Sequence, residues 1–124
     1  MSFTNYSEDL VLNWLLTTGS ATRPTAWYVG LGETGGGTEV SGNGYAREAA
    51  TFTVSGTAPT SATNSSAVEF DPATASWGTI THVAIFDALT TGNMIAYAEL
   101  SASKAIGTND IFRIPSSNLT ITLD

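Results

Sequence analysis

The stretch Thr-Ile-Thr-His-Val-Ala-Ile-Phe-Asp, residues 79–87, decides the fold class of this chain. It is rich in β-branched and aromatic residues, the types that fit a pleated, packed surface. Alternation puts Ile80, His82, Ala84 and Phe86 on one face and Val83 and Ile85 on the other. Both faces carry apolar groups, so this strand is expected to be central and covered on both sides. Thr91-Gly92-Asn93 reads as a hairpin connection, and residues 94–100 as the antiparallel return strand.

Working outward, residues 25–31 (Thr-Ala-Trp-Tyr-Val-Gly-Leu) form another strand candidate. Glycines at 32, 35, 36, 37, 42 and 44 then mark a long irregular loop. Residues 45–54 read as one strand with Tyr45, Arg47, Ala49, Thr51 and Thr53 on one side. Residues 55–65, made of Ser, Thr, Ala, Gly, Pro and Asn, read as a loop. A short strand over 67–70 ends at the turn signal Asp71-Pro72. The last two strands are 110–114 and 119–123, split by Pro115-Ser-Ser-Asn118. No strand–helix–strand alternation occurs. The expected fold is therefore mainly β: an antiparallel jelly roll, β-sandwich or barrel.

One N-terminal α-helix precedes it. Phe3, Tyr6, Leu10 and Trp14 recur at helical spacing. Asn5 and Glu8 have capping-box spacing, with Ser2 and Thr4 as alternative caps, and Gly19 is a plausible stop. The expected organisation is a single domain, residues 1–124, with the helix at about 4–17 and the β-domain at about 25–124. Leu10, Val11, Leu12, Trp14, Leu15 and Leu16 make the second half of the helix apolar nearly all round. Such a helix is buried on most sides. The burying surface is either its own β-domain, which it would plug, or a neighbouring subunit.

Composition narrows the function. Charged residues reach only 12%, about half the usual share, and hydrophobic residues 42%. A globular chain with so mild a surface suits extensive contact with other protein. Eleven acids against four bases give a formal net charge of −7. The bases (Arg23, Arg47, Lys104 and Arg113) are scattered, which argues against nucleic acid and against an anionic membrane. There is no cysteine, hence no disulfide, thiolate nucleophile or Cys-based zinc site. The opening Met-Ser-Phe-Thr-Asn-Tyr lacks the basic end and apolar run of a signal peptide, so synthesis and folding in a cytoplasm are expected.

No motif assembles a catalytic centre, and no cofactor is implied. The Gly-rich stretch lacks the Lys and the following helix that a phosphate loop needs, and Glu33 and Glu39 would repel phosphate. His82, the one histidine, lies mid-strand and is expected to be packed and hydrogen-bonded rather than part of a triad. Asp71, Asp87 and Asp110 fall at strand ends, where turn and capping duty is commoner than a shared calcium ion. Trp77 is a candidate for stacking on sugar, although packing over the end of the core is the commoner fate.

Three segments carry a resemblance: Gly-Gly-Thr-Glu-Val-Ser-Gly-Asn-Gly-Tyr-Ala-Arg (36–47), Ala-Thr-Ala-Ser-Trp-Gly-Thr-Ile-Thr-His-Val-Ala-Ile-Phe-Asp (73–87) and Leu-Thr-Ile-Thr-Leu-Asp (119–124). With the opening helix, the chain resembles a family of small bacteriophage virion proteins often labelled tail fibre proteins. Its architecture is also similar to that of trimeric capsid cement or decoration proteins. The resemblance implies a non-enzymatic virion structural protein, a homotrimer that contacts the major capsid protein or other virion proteins. The leading expectation is capsid cement stabilising the head. The alternative is a tail-fibre module that attaches to host glycan. The expected contact residues are Phe3, Tyr6, Leu10, Trp14, Glu39, Tyr45, Arg47 and Trp77. The apolar helix over 3–16 or the Gly-rich loop over 33–43 would be the contact element.

Overall fold

A computed structural model describes residues 1–34 and 38–123. Strand β1 (Ser2–Phe3) leads into helix α1 (Asn5–Leu16). The strands β2 (Trp27–Thr34), β3 (Thr38–Glu39), β4 (Glu48–Ala50), β5 (Phe52–Ser55), β6 (Thr60–Asn64) and β7 (Val68–Glu69) follow. The chain continues through β8 (Gly78–Phe86), β9 (Met94–Ile106), β10 (Arg113–Ile114) and β11 (Thr120–Leu123).

These strands make three antiparallel sheets, the mainly β fold with one leading helix that the residue pattern implies. The largest runs β1-β9-β8-β2-β3, with β4 also paired to β2. The others are β10-β7 and β11-β6-β5. Strand β8 lies between β9 and β2, as its two apolar faces require. Val29 pairs with Ile85 and Leu31 with Val83, so one face of the large sheet enters the core. Val68, Phe70, Phe112, Ile114 and Leu119 close that core from the side of the smaller sheets. A two-layer sandwich fits this arrangement.

The structure corrects several local readings. The register shifts between Ile80 and His82, and Ile80 joins Val83 and Ile85 in the core instead of sharing a face with His82. A bulge of this kind breaks strict alternation. The expected strand over 45–54 is two strands in different sheets, and the chain changes sheet at Thr51. The expected loop over 55–65 contains β6, the middle strand of its sheet, paired on both sides by β5 and β11. Its Thr-Ser-Ala-Thr-Asn composition signals a loop; ladder bonds to two neighbours override that weak local preference. Of the Gly-rich loop, residues 35–37 lie outside the described residues.

The helix begins at Thr4, whose hydroxyl accepts from the Ser7 amide at 3.4 Å, so Thr4 and not Asn5 is the cap. The same turn is tied to β9. Ser7 Oγ donates to the Ile95 carbonyl at 2.7 Å, and the Thr4 amide donates to the same carbonyl at 3.0 Å. Past Val11 the helix is left uncovered by the described residues of its own domain. Leu12, Trp14, Leu15 and Leu16 are 55, 69, 63 and 73% exposed. The reading in which α1 plugs its own β-domain is therefore wrong for this half of the helix.

Candidate interaction surfaces

The first surface grows from a gap in the edge of β2. Strand β4 pairs with residues 27–29 of β2 and β3 with residues 32–34, which leaves Leu31 without a strand partner on that side. A buried backbone amide left unpaired is costly. Here the segment between β3 and β4 supplies the bonds. Val40 donates its amide to the Leu31 carbonyl at 2.9 Å, and the Leu31 amide donates to the Tyr45 hydroxyl at 2.9 Å.

That hydroxyl is the first link of a polar chain. Tyr45 Oη donates to Glu39 Oε2 at 2.6 Å. Arg47 donates to both carboxylate oxygens, Nε to Oε2 and Nη2 to Oε1, each at 2.8 Å. Such a forked pair is stronger and more directional than a single contact. Arg47 Nη1 then donates to the carbonyls of Ala88 and Thr91, both at 2.8 Å, in the connection between β8 and β9. The guanidinium lies over the Phe86 ring, 3.5 Å from its centroid. Gly30 makes room beneath: a Cβ there would meet Glu39 Oε2 and the Phe86 ring at 2.8 Å. One side chain thus ties the 39–47 segment, the large sheet and the hairpin tip together.

Electrostatics agree with the geometry. Burial alone would raise the Glu39 carboxyl, but hydrogen bonds from Arg47 and Tyr45, with the Arg47 charge, hold it below the usual carboxylate range. Burial, and then the bond to Glu39, push the Tyr45 phenol well above its ordinary value. Both groups keep one ionisation state through the neutral range. The constellation is a clamp rather than acid–base machinery.

Between this segment and the hairpin tip lies an open cleft of about 350 Å³, bordered by Ser41, Gly42, Arg47, Leu89, Thr90 and Thr91. The tip is held rigidly. Asp87 Oδ1 accepts the Asn93 amide at 2.7 Å and Oδ2 accepts the Asn93 side-chain amide at 3.0 Å. The backbone and side-chain bonds from Asn93 also hold the Asp87 carboxyl below its ordinary range. Thr91 adopts φ 58°, a left-handed conformation that costs a β-branched residue about 1–2 kcal/mol. Leu89 stands exposed at this tip.

Tyr45 also connects the clamp to the core. Its ring stacks on Phe70 at 6.1 Å and meets Trp77 edge-on at 5.5 Å. Trp77 is only 3% exposed, and its indole N–H donates to the Asn43 carbonyl at 2.9 Å. It therefore offers no face to a sugar or a partner, and its place among the contact residues is corrected: the aromatic side chain closes the core. Trp77→Phe is expected to cost about 1–2 kcal/mol through lost packing, with the Asn43 carbonyl still bonded to the Thr74 amide. Urea unfolding of the pure protein measures it.

The second surface is the outer part of α1. Trp14 and Tyr6 are exposed, Phe3 is half-buried where it pairs with Ala96, and Leu10 is half-buried. Leu10, Val11 and Trp14 border an apolar groove of about 240 Å³, closed on its far side by Ala21 and Arg23. The structure thus separates the eight expected residues: three on the helix, Phe3 on the strand before it, three in the clamp and one inside the core. The sequence pattern did not point to Ala21, Arg23 or Leu89. A lone Leu in a Thr-rich hairpin tip and an Arg before a proline carry no periodic signal.

The remaining candidates have ordinary duties. His82 Nδ1 lies 2.8 Å from the Thr81 hydroxyl. That hydroxyl gives its one proton to the Glu33 carbonyl, so the ring nitrogen is the donor. Asp110 accepts the Gly107 amide at 2.8 Å within its own turn. Among the described residues no three His, Cys, Asp or Glu side chains gather as metal ligands, so Asp71, Asp87 and Asp110 do not meet. Among the described residues no helix is long and apolar enough to cross a membrane.

Comparison with known proteins adds one positive finding. The family described as Gp80, podophage GP4 fiber I protein gp80, matches residues 2–122. No curated protein matches the chain.

Proposed function

We propose, for a chain that belongs to the Gp80 family of podophage fibre proteins, the role of a compact, non-enzymatic joint or cap in the fibre apparatus. Membership makes it a fibre-type structural protein of a phage virion. One observation carries the finer reading: the described residues share one core, without heptads or repeated segments. A shaft gains length from such repeats. A body of this size has a radius of gyration of only about 14 Å, so it joins or terminates longer parts. The rigid hairpin tip and its cleft suit contact with a neighbouring virion protein or a host glycan.

A second reading, capsid decoration, is favoured by the mild surface and the uncovered helix. There the protein would bury area across adjacent subunits of the major capsid protein. Binding only the assembled shell would stabilise it by mass action.

Copies per purified particle, measured by quantitative gel densitometry against the major capsid protein, separate the two. A few to a few tens of copies is the expected result and supports the fibre role. Hundreds, in simple ratio to the capsid protein, would replace it with decoration of the head. A glycan array probed with assembled protein tests the receptor version; an empty array assigns the cleft to a protein neighbour.

A further inference from the structure

We propose that Asn43 is a modification site of this chain: its side-chain amide is lost spontaneously when the turn over 42–45 opens, and the product unlocks the Glu39–Arg47 clamp. The inference goes beyond the proposed role and holds for either location on the particle. Asn43 is the one asparagine of the chain that glycine follows. With no side chain at Gly44, the backbone nitrogen there has free approach to the Asn43 side-chain carbon, and an intramolecular attack gains from that proximity. The fold nevertheless needs this pair. Asn43 and Gly44 both have positive φ, 54° and 80°, and the Tyr45 amide donates to the Gly42 carbonyl at 3.0 Å. This is a type I′ turn, for which Asn-Gly is the preferred sequence. A Cβ at residue 44 would also press on the Thr74 methyl at 3.1 Å.

Water is the only co-reactant. The Gly44 nitrogen bonds to Asn43 Cγ, the Cγ–Nδ2 bond breaks, and ammonia leaves carrying the Gly44 amide proton. Water then opens the five-membered ring at one of its two C–N bonds, giving aspartate or iso-aspartate. Ring closure requires the side chain and the 43–44 peptide to rotate, and three bonds oppose that rotation. Asn43 Nδ2 donates to the Ser76 carbonyl at 3.0 Å. The Asn43 carbonyl accepts the Trp77 indole N–H at 2.9 Å and the Thr74 amide at 3.0 Å. The turn must therefore open first, so the folded protein reacts slowly, and the loss of ammonia makes the change one-way. Either product sets a carboxylate with no proton to give against the Ser76 carbonyl. Iso-aspartate also adds a carbon to the main chain, which a two-residue turn between fixed ends cannot absorb. Tyr45 and Arg47, just beyond the turn, then lose the placement that holds Glu39 and the hairpin tip.

Prolonged incubation of the pure full chain at mildly alkaline pH, followed by peptide mass spectrometry, tests the inference. Conversion is expected at Asn43 ahead of every other asparagine. It should run on the order of 100-fold slower in the folded protein than in the urea-unfolded chain. Trp77→Phe, which removes one of the three bonds, should speed the folded reaction roughly fivefold. Below the unfolding transition urea should change the rate little, because a local opening exposes little surface. Converted protein, separated by its extra negative charge, should show faster amide exchange in the 88–93 tip than unconverted protein. No conversion at Asn43 in the folded protein overturns the site. Equal folded and unfolded rates, or a rate that climbs with urea in step with global unfolding, overturns the gating by the turn. An unchanged rate in Trp77→Phe removes the indole bond from that gate, and unchanged tip exchange after conversion overturns the unlocking.

Discussion

Replacing Asn64 by leucine is expected to lower the melting temperature by on the order of 10–20 °C, corresponding to a loss of ~3–5 kcal/mol. The residue is completely buried at the end of β6. Its side-chain amide donates to the Ser66 and Pro115 carbonyls, both at 2.9 Å, and its oxygen accepts the Leu119 amide at 2.9 Å. Its backbone amide donates to the Leu119 carbonyl at 3.2 Å, and its carbonyl accepts from Ser117 at 2.9 Å. Asn64 thus fastens β6 to the turn that precedes β11. Leucine has a similar volume but no polar atom: it would strand the buried Leu119 amide and take a donor from the Ser66 and Pro115 carbonyls, of which Pro115 keeps the Asn118 amide. An unsatisfied buried group costs ~1–3 kcal/mol, against a whole-domain stability of ~5–15 kcal/mol. Thermal unfolding followed by circular dichroism measures the loss; a shift below about 5 °C would mean that water replaces these bonds.

Asn64→Asp separates hydrogen bonding from shape. The carboxylate keeps the acceptor for Leu119 but faces two carbonyls with no proton to give. Burial raises the pKa of such an acid above its unfolded value. Its folded form is then favoured below the unfolded pKa and penalised as pH rises through the folded one. This variant should be more stable at about pH 4 than near pH 7 relative to wild type.

Arg47→Met is expected to cost ~2–4 kcal/mol and to loosen the hairpin tip. It removes the forked pair to Glu39 and both bonds to the Ala88 and Thr91 carbonyls. The Glu39 side chain is 29% exposed, so solvent offsets part of the loss, and the estimate stays below that for a fully buried pair. Arg47→Lys should recover little, because an ammonium cannot reach two carboxylate oxygens and two carbonyls in one plane. Without its anchor the strained Thr91 should relax, visible as faster amide exchange in the tip.

The pH dependence carries a distinct sign. In the wild type the Glu39 pKa lies below its ordinary 4.5, so its contribution is present above that value and lost as pH falls through the lowered one. In Arg47→Met burial dominates and raises the same carboxyl. The variant's deficit should therefore shrink between about pH 7 and about pH 4. A deficit independent of pH would mean that the loss is one of packing alone.

Both side chains show the limit of reading along the chain. Asn64 ends a Thr-Ser-Ala-Thr run with the composition of a loop, and nothing local marks it as a buried staple. Its partners are up to 55 residues away. Glu39, Tyr45 and Arg47 belong to a recognisable motif, which singled them out without saying what they hold. Their geometry depends on the gap beside Leu31 and on a hairpin tip more than 40 residues downstream. Trp77 was legible as an aromatic near the end of the core, but its burial depends on Tyr45 and Phe70, from segments distant along the chain.

The sequence alone determined the strand-rich antiparallel class, the N-terminal helix, the central place of β8 and the lack of an assembled catalytic motif. These follow from side-chain periodicity and backbone preference, which act over a few residues. The tertiary structure decided that residues 45–54 divide between two sheets, that β6 exists, and that Ile80 turns into the core. It also decided that Trp77 is interior while Trp14 is not. Those outcomes rest on pairing and burial between distant segments, where the free energy of a covered surface outweighs local preference. The apolar helix marks the division: its composition shows that it must be covered, and only the folded domain shows that its own chain leaves it bare.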